Sequence, residues 1–138
     1  MPTGKSLDHL ARRYLASRGT PPMVDDPVAL ALPRLNAEAR NAGRGARFDL
    51  GLGVGLALAG IAAGGSILVM PLGNDIVVAL LRLHLVPLMA LGGAIWGAIL
   101  AEQAGPVLVA AQMVLRCLSM GALVEAFQTA LAGLPARR

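Results

Sequence analysis

A single cysteine, Cys117, is present in 138 residues, which excludes an intrachain disulfide and any multi-cysteine metal site. Among Leu115, Leu118 and Met120 it reads as a buried, inert thiol. Aromatic residues make up 3% of the chain, and Tyr14 is the one aromatic side chain before Phe48. The basic segment therefore has no stacking platform for nucleic acid, and no nucleic-acid partner is expected. Charged residues amount to 14%, against about a quarter in soluble domains. That scarcity, with 56% hydrophobic residues, excludes an ordinary soluble domain and points to lipid surroundings.

Catalytic groups are missing too. Asp49, Asp75, Glu102 and Glu125 are far apart in the chain, and nothing resembles a catalytic set. No enzymatic activity is expected, and no cofactor or metal. An axial haem pair would need a homo-oligomer to supply His84 twice, because His9 lies in the basic segment. The simpler expectation is that His84 satisfies a backbone carbonyl or sits at an interface near Arg82. Gly4-Lys5-Ser6 ends like a phosphate-binding loop but lacks the earlier glycine, and Gly51, Gly53 and Gly55 lack the last glycine of a dinucleotide loop, where Leu56 stands.

What is present is a run without charge from Leu50 to Asn74. At 1.5 Å per residue about 20 such residues cross a hydrocarbon core of roughly 30 Å. Eight of the 12 basic residues and four of the 8 acidic ones precede Phe48. The expected fold class is therefore all-α: a helical integral membrane protein with two or three hydrophobic helices after a basic, partly helical segment. Residues 1–47 form that segment and residues 48–138 the membrane-embedded region. The expected spans are about 48–72 and 76–101, with a third candidate at 107–134.

In the first segment, Leu7, Leu10, Ala11, Tyr14 and Leu15 share one face of a helix, while Arg12, Arg13 and Arg18 are read as falling elsewhere. Gly19, Pro21 and Pro22 stop it. A basic amphipathic helix of this kind lies on an anionic leaflet or packs on a partner. Asp26 and Pro27 then start a second helix, bent or restarted at Pro33 and ended near Asn41 by Gly43 and Gly45.

Small residues mark helix packing in lipid. Gly51 and Gly55 continue into Ala59 and Ala63 as one stripe, Gly60 and Gly64 make a second, and Gly93 and Gly97 lie with Ala90, Ala94 and Ala98. They serve packing within the chain or self-association. Met70 to Asp75, including Leu72 and Asn74, is expected to turn, as is Glu102 to Pro106, and Trp96 is placed as an interfacial anchor. Arg82 is expected to snorkel outward or to pair with Asp75. The polar groups at membrane depth are Arg82, His84, Gln112, Arg116 and Ser119, with the last three on one face and Glu125 and Gln128 on another.

The leading expectation is a small non-catalytic subunit of a bacterial inner membrane that scaffolds or assembles a larger envelope complex of the secretion or conjugation kind. Its N-terminus is cytoplasmic, and its partners are the bilayer and other membrane subunits or copies of itself. Three full spans would set Arg137 and Arg138 outside, against the positive-inside tendency; two would keep them inside. One alternative is an oligomeric, holin-like pore whose wet path is lined by Gln112, Arg116 and Ser119. Another is a pilin-type polymer subunit. A basic leader, an apolar run with Ala57-Leu58-Ala59 as a cleavage point and two further apolar helices is similar in layout to conjugative prepilins. The Ala, Gly and Leu content resembles that of proteins from GC-rich bacterial genomes.

Overall fold

The computed structural model describes residues 4–21, 23–71, 73 and 75–136. Four helices occur among them: α1 (Gly4–Ser17), α2 (Pro27–Val69), α3 (Ile76–Ser119) and α4 (Leu123–Gly133), with no strand among the described residues. The fold is all-α. Pro22, Leu72, Asn74, Arg137 and Arg138, on which expectations about turns and sidedness were placed, lie outside the described residues.

The chain forms two compact units. One comprises Met1–Ala46 with Gly105–Arg138 and the other Arg47–Ala104. The basic first third thus folds together with the last quarter of the chain, instead of standing apart from a membrane region running from 48 to 138. We call the first unit the head and the second the hairpin.

The head is built from α1, the first part of α2, the last part of α3, and α4. Its core joins Ala11, Tyr14 and Leu15 to Ala31, Leu35 and Ala39, and these to Ala111, Val114, Phe127 and Ala130. Alanines at so many core positions leave little side-chain thickness between the helices, so the backbones approach closely. The apolar face of α1 is consumed here, against α4 and the α2 residues of the same core. It is packed on protein, not laid on a leaflet.

Local signals explain where the helices begin and end. The Asp26 carboxylate accepts from the Ala29 N–H at 3.0 Å, capping α2 ahead of Pro27. After α1, Gly19 takes φ +77°, with Gly19 N–H donating to the Ala16 carbonyl and Thr20 N–H to the Leu15 carbonyl. Gly121, at φ +73°, closes α3 in the same pattern through Leu118 and Cys117. A left-handed residue is required at both sites, and glycine adopts it without a Cβ clash.

Two expected breaks do not occur. α2 continues through Pro33, Gly43 and Gly45, and α3 continues through Glu102 to Pro106. Glycine costs a helix only about 1 kcal/mol, and burial of Ala39 and Ala46 on the core side holds α2 together. Pro33 is exposed, so the carbonyl it leaves unbonded can take a hydrogen bond from solvent. Pro106 follows Gly105, whose missing Cβ removes part of the clash that usually forces the residue before proline out of the helical region.

In the hairpin, the later part of α2 and the earlier part of α3 run antiparallel, with Gly53 against Gly97, Gly60 against Gly93 and Gly64 against Val86 and Ala90. Both helices, Pro27–Val69 and Ile76–Ser119, are long and apolar enough to cross a membrane. Large apolar side chains point outward from both, including Leu58 (62% exposed), Leu83 (68%) and Trp96 (62%). Residues 107–134 supply no third helix of that kind. They form the end of α3 and α4, with Val114, Phe127 and Ala130 buried in the head.

Candidate functional site

Tyr14 of α1 and Arg18, four residues on and just past the end of that helix, meet Glu38 of α2 in the head. The Tyr14 hydroxyl donates to Glu38 Oε2. Arg18 Nη2 lies 2.9 Å from Glu38 Oε1 and its Nε donates to Oε2 at 3.2 Å, a two-pronged pair that guanidinium geometry favours. Arg18 Nη2 also donates to the Leu134 carbonyl at 3.2 Å, just past the end of α4. The guanidinium carbon sits 5.3 Å from the Tyr14 ring centroid, and that ring packs against Phe127 at 5.6 Å with a 59° tilt. Arg18 therefore ties three helices together. Reading it as pointing away from the apolar face of α1 was an error: spacing of four from Tyr14 sets it on the same side, and its stem follows the core while its head finds a carboxylate.

Beside this cluster is a cavity of about 490 Å³ lined by Tyr14, Arg18, Arg34, Glu38, Asn41 and Pro135. Arg34 Nη1 donates to Thr20 Oγ1 at 2.6 Å. Burial first, then the hydrogen bond and charge of Glu38, raise the Tyr14 phenol well above its usual value, outweighing Arg18. The unfolded chain then releases this proton at lower pH than the folded one. The contribution to stability is fully present below about pH 10 and is lost as pH rises beyond it. In melts from about pH 8 to about pH 12, the stability of the head is expected to fall by up to about 1.4 kcal/mol per unit above pH 10. Tyr14→Phe should flatten that slope, and an equally steep loss in the variant would show that other groups cause it.

The expected small-residue positions divide. A methyl built on Gly60 would lie 2.6 Å from the Met89 carbonyl oxygen, and one on Gly93 would lie 2.7 Å from that of Leu56. A Cβ on Gly97 would run into the Gly53 carbonyl and Ala57, and one on Gly64 would lie 3.2 Å from the Val86 carbonyl oxygen. Gly51 and Gly55 face open space, with nothing within 4 Å. Gly53, absent from the expected stripes, takes their place in the contact, where an added Cβ would lie 2.8 Å from the Gly97 carbonyl oxygen. A two-residue offset turns a helix by about 200°, so Gly51 and Gly53 occupy opposite sides.

Arg82 reaches back across the turn, where its Nη2 donates to the Met70 carbonyl at the end of α2, at 2.5 Å. It thus satisfies one of the carbonyls that a helix end leaves free; the ion pair to Asp75 does not form. His84 Nδ1 lies 2.8 Å from the Leu80 carbonyl of its own helix. Ser119 donates to the Arg116 carbonyl at 2.7 Å. Gln112 and Arg116 lie on the exposed side of α3 within the head, where the turn at Gly121 brings Glu125 of α4 to the groove they line. Glu125 had been expected on a different face, because continuous helical spacing was carried through a turn. No group of three or more His, Cys, Asp or Glu side chains that could hold a metal occurs among the described residues.

Comparison of the chain with family models, curated proteins and solved structures finds no match.

Proposed function

We propose that the chain is a small non-catalytic membrane subunit that anchors through the hairpin and uses its head to hold or assemble a larger complex in a bacterial inner membrane, of the secretion or conjugation kind. The observation that carries this reading is the pairing of two unlike surfaces. The hairpin exposes apolar side chains of α2 and α3 on its outside, whereas the polar groups inside the head, Tyr14, Arg18 and Glu38, are spent on joining helices. Lipid is the surrounding that makes the first surface stable.

Sidedness supports the same reading. An antiparallel hairpin leaves and returns at one end, so a two-span arrangement keeps nine of the ten described Lys and Arg residues, all but Arg82, on one side. The positive-inside tendency assigns that side to the cytoplasm. With Cys117→Ser as background, a cysteine at Ala136 should label from the inside alone and one at Gly73 from the outside. The functional test is deletion with complementation. Loss of the protein should lower the amount of one defined envelope complex on native gels, and re-expression should restore it. A chain that purifies alone from mild detergent and whose loss leaves every membrane complex intact would overturn the proposal. A pilin-type subunit would instead be cut after Ala59, inside unbroken α2, giving a mature N-terminus at Gly60 by mass spectrometry.

A further inference from the structure

The end of α3 and the start of α4 border a groove of about 440 Å³ in the head. Val109, Met113 and Met120 line it and are 63%, 47% and 75% exposed. Among the described residues of the head, the other large hydrophobic side chain this exposed is Met23, so three of four converge here. Arg116 and Glu125 line the same groove and are both exposed. Neither side chain forms an ion pair or hydrogen bond with another described residue, and they do not pair with each other. An apolar centre with unspent polar groups at its margin has the anatomy of a protein interface. Methionine suits such a surface because its unbranched, polarizable side chain adapts to what it meets.

We propose that a second copy of this chain docks on this groove about a two-fold axis, with the Arg116 guanidinium of each copy meeting the Glu125 carboxylate of the other. The charges select this occupant. A patch carrying one sign of charge repels its own copy, whereas a groove lined by one positive and one negative group, as Arg116 and Glu125 line this one, offers each charge an opposite partner on a second copy. The two-fold pairs each charge once and brings the Val109, Met113 and Met120 surfaces of both copies together. Gln112, beside Arg116 on the same side of α3, adds an amide to the rim. The inference goes beyond the proposed function and does not depend on it, since a chain that assembles no envelope complex can still dimerise.

Sedimentation equilibrium of the full chain in mild detergent tests it. The wild-type chain should be a dimer, and Arg116→Glu or Glu125→Arg alone should weaken the dimer by about tenfold or more, because each places like charges opposite one another twice. The combined swap, R116E with E125R, restores both pairs with reversed sign and should return the dissociation constant to within about threefold of wild type. Far-UV circular dichroism verifies that the variants keep their helices. A monomer at every concentration would overturn the proposal. So would single reversals that leave the dimer unchanged, which would move the contact to the hairpin, or a combined swap that fails to rescue, which would assign the groove to a partner of different sequence.

Discussion

Replacing Gly97 with leucine is expected to separate the two helices of the hairpin. A Cβ at this position runs into the Gly53 carbonyl and stands 3.2 Å from the Ala57 Cβ, so a branched side chain has no direction in which to relax without moving backbone. Overpacking of this kind costs about 1–3 kcal/mol where side chains can shift, and more is expected where the obstacle is a main-chain oxygen. In lipid the loss is not offset by burial elsewhere, because helix association there rests on close contact and not on expulsion of water. Gly60→Leu should behave alike, its Cβ meeting the Met89 carbonyl at 2.6 Å. Gly55→Leu should be silent, since open space surrounds that position. Titration of sodium dodecyl sulfate into mild-detergent micelles, followed by Trp96 fluorescence one residue from the contact, checks this. The midpoint should drop for Gly97 and Gly60 and hold for Gly55. Equal effects at all three would mean that leucine acts on α2 and α3 by some route other than the contact.

Phe127→Ala should damage the head as severely. The ring is fully buried, packs at a tilt against Tyr14 and lies in a core otherwise rich in alanine. Removing a buried phenylalanine costs about 3–5 kcal/mol, and small neighbours such as Ala11, Ala126 and Ala130 have no side-chain length with which to fill the cavity. For a unit of this size each kcal/mol shifts the melting temperature by about 4–8 °C, so a decrease of about 12 °C or more is expected in the transition assigned to the head. Phe48→Ala is the comparison, because Phe48 is 70% exposed and should leave that transition in place. A melt unchanged by loss of Phe127 would show that the core is held by helix contacts alone.

The functional surfaces were legible in unequal measure. Gly60, Gly64, Gly93 and Gly97 were readable because small residues at spacings of four are a local pattern. Choosing between that stripe and the one through Gly51 and Gly55 required the position of the other helix. The Tyr14, Arg18 and Glu38 cluster was half visible, in the spacing of four between Tyr14 and Arg18, but its carboxylate comes from another helix twenty residues beyond Arg18. Arg116 and Glu125 share a groove only because Gly121 reverses the chain between them.

By itself the sequence determined that the chain is helical, where two apolar spans lie, and that nearly all positive charge falls outside them. These follow from properties that accumulate residue by residue along one stretch, namely run length, charge and cap chemistry at Asp26 and Gly19. Only the tertiary structure decided that residues 107–134 belong to the head and that α2 and α3 run on through Gly45 and Pro106. An apolar helix face is equally satisfied by lipid or by protein. The faces that cover Val114 and Phe127 are supplied by Tyr14, Leu15 and Leu35, about 80 to 110 residues earlier in the chain, where no local pattern can register them.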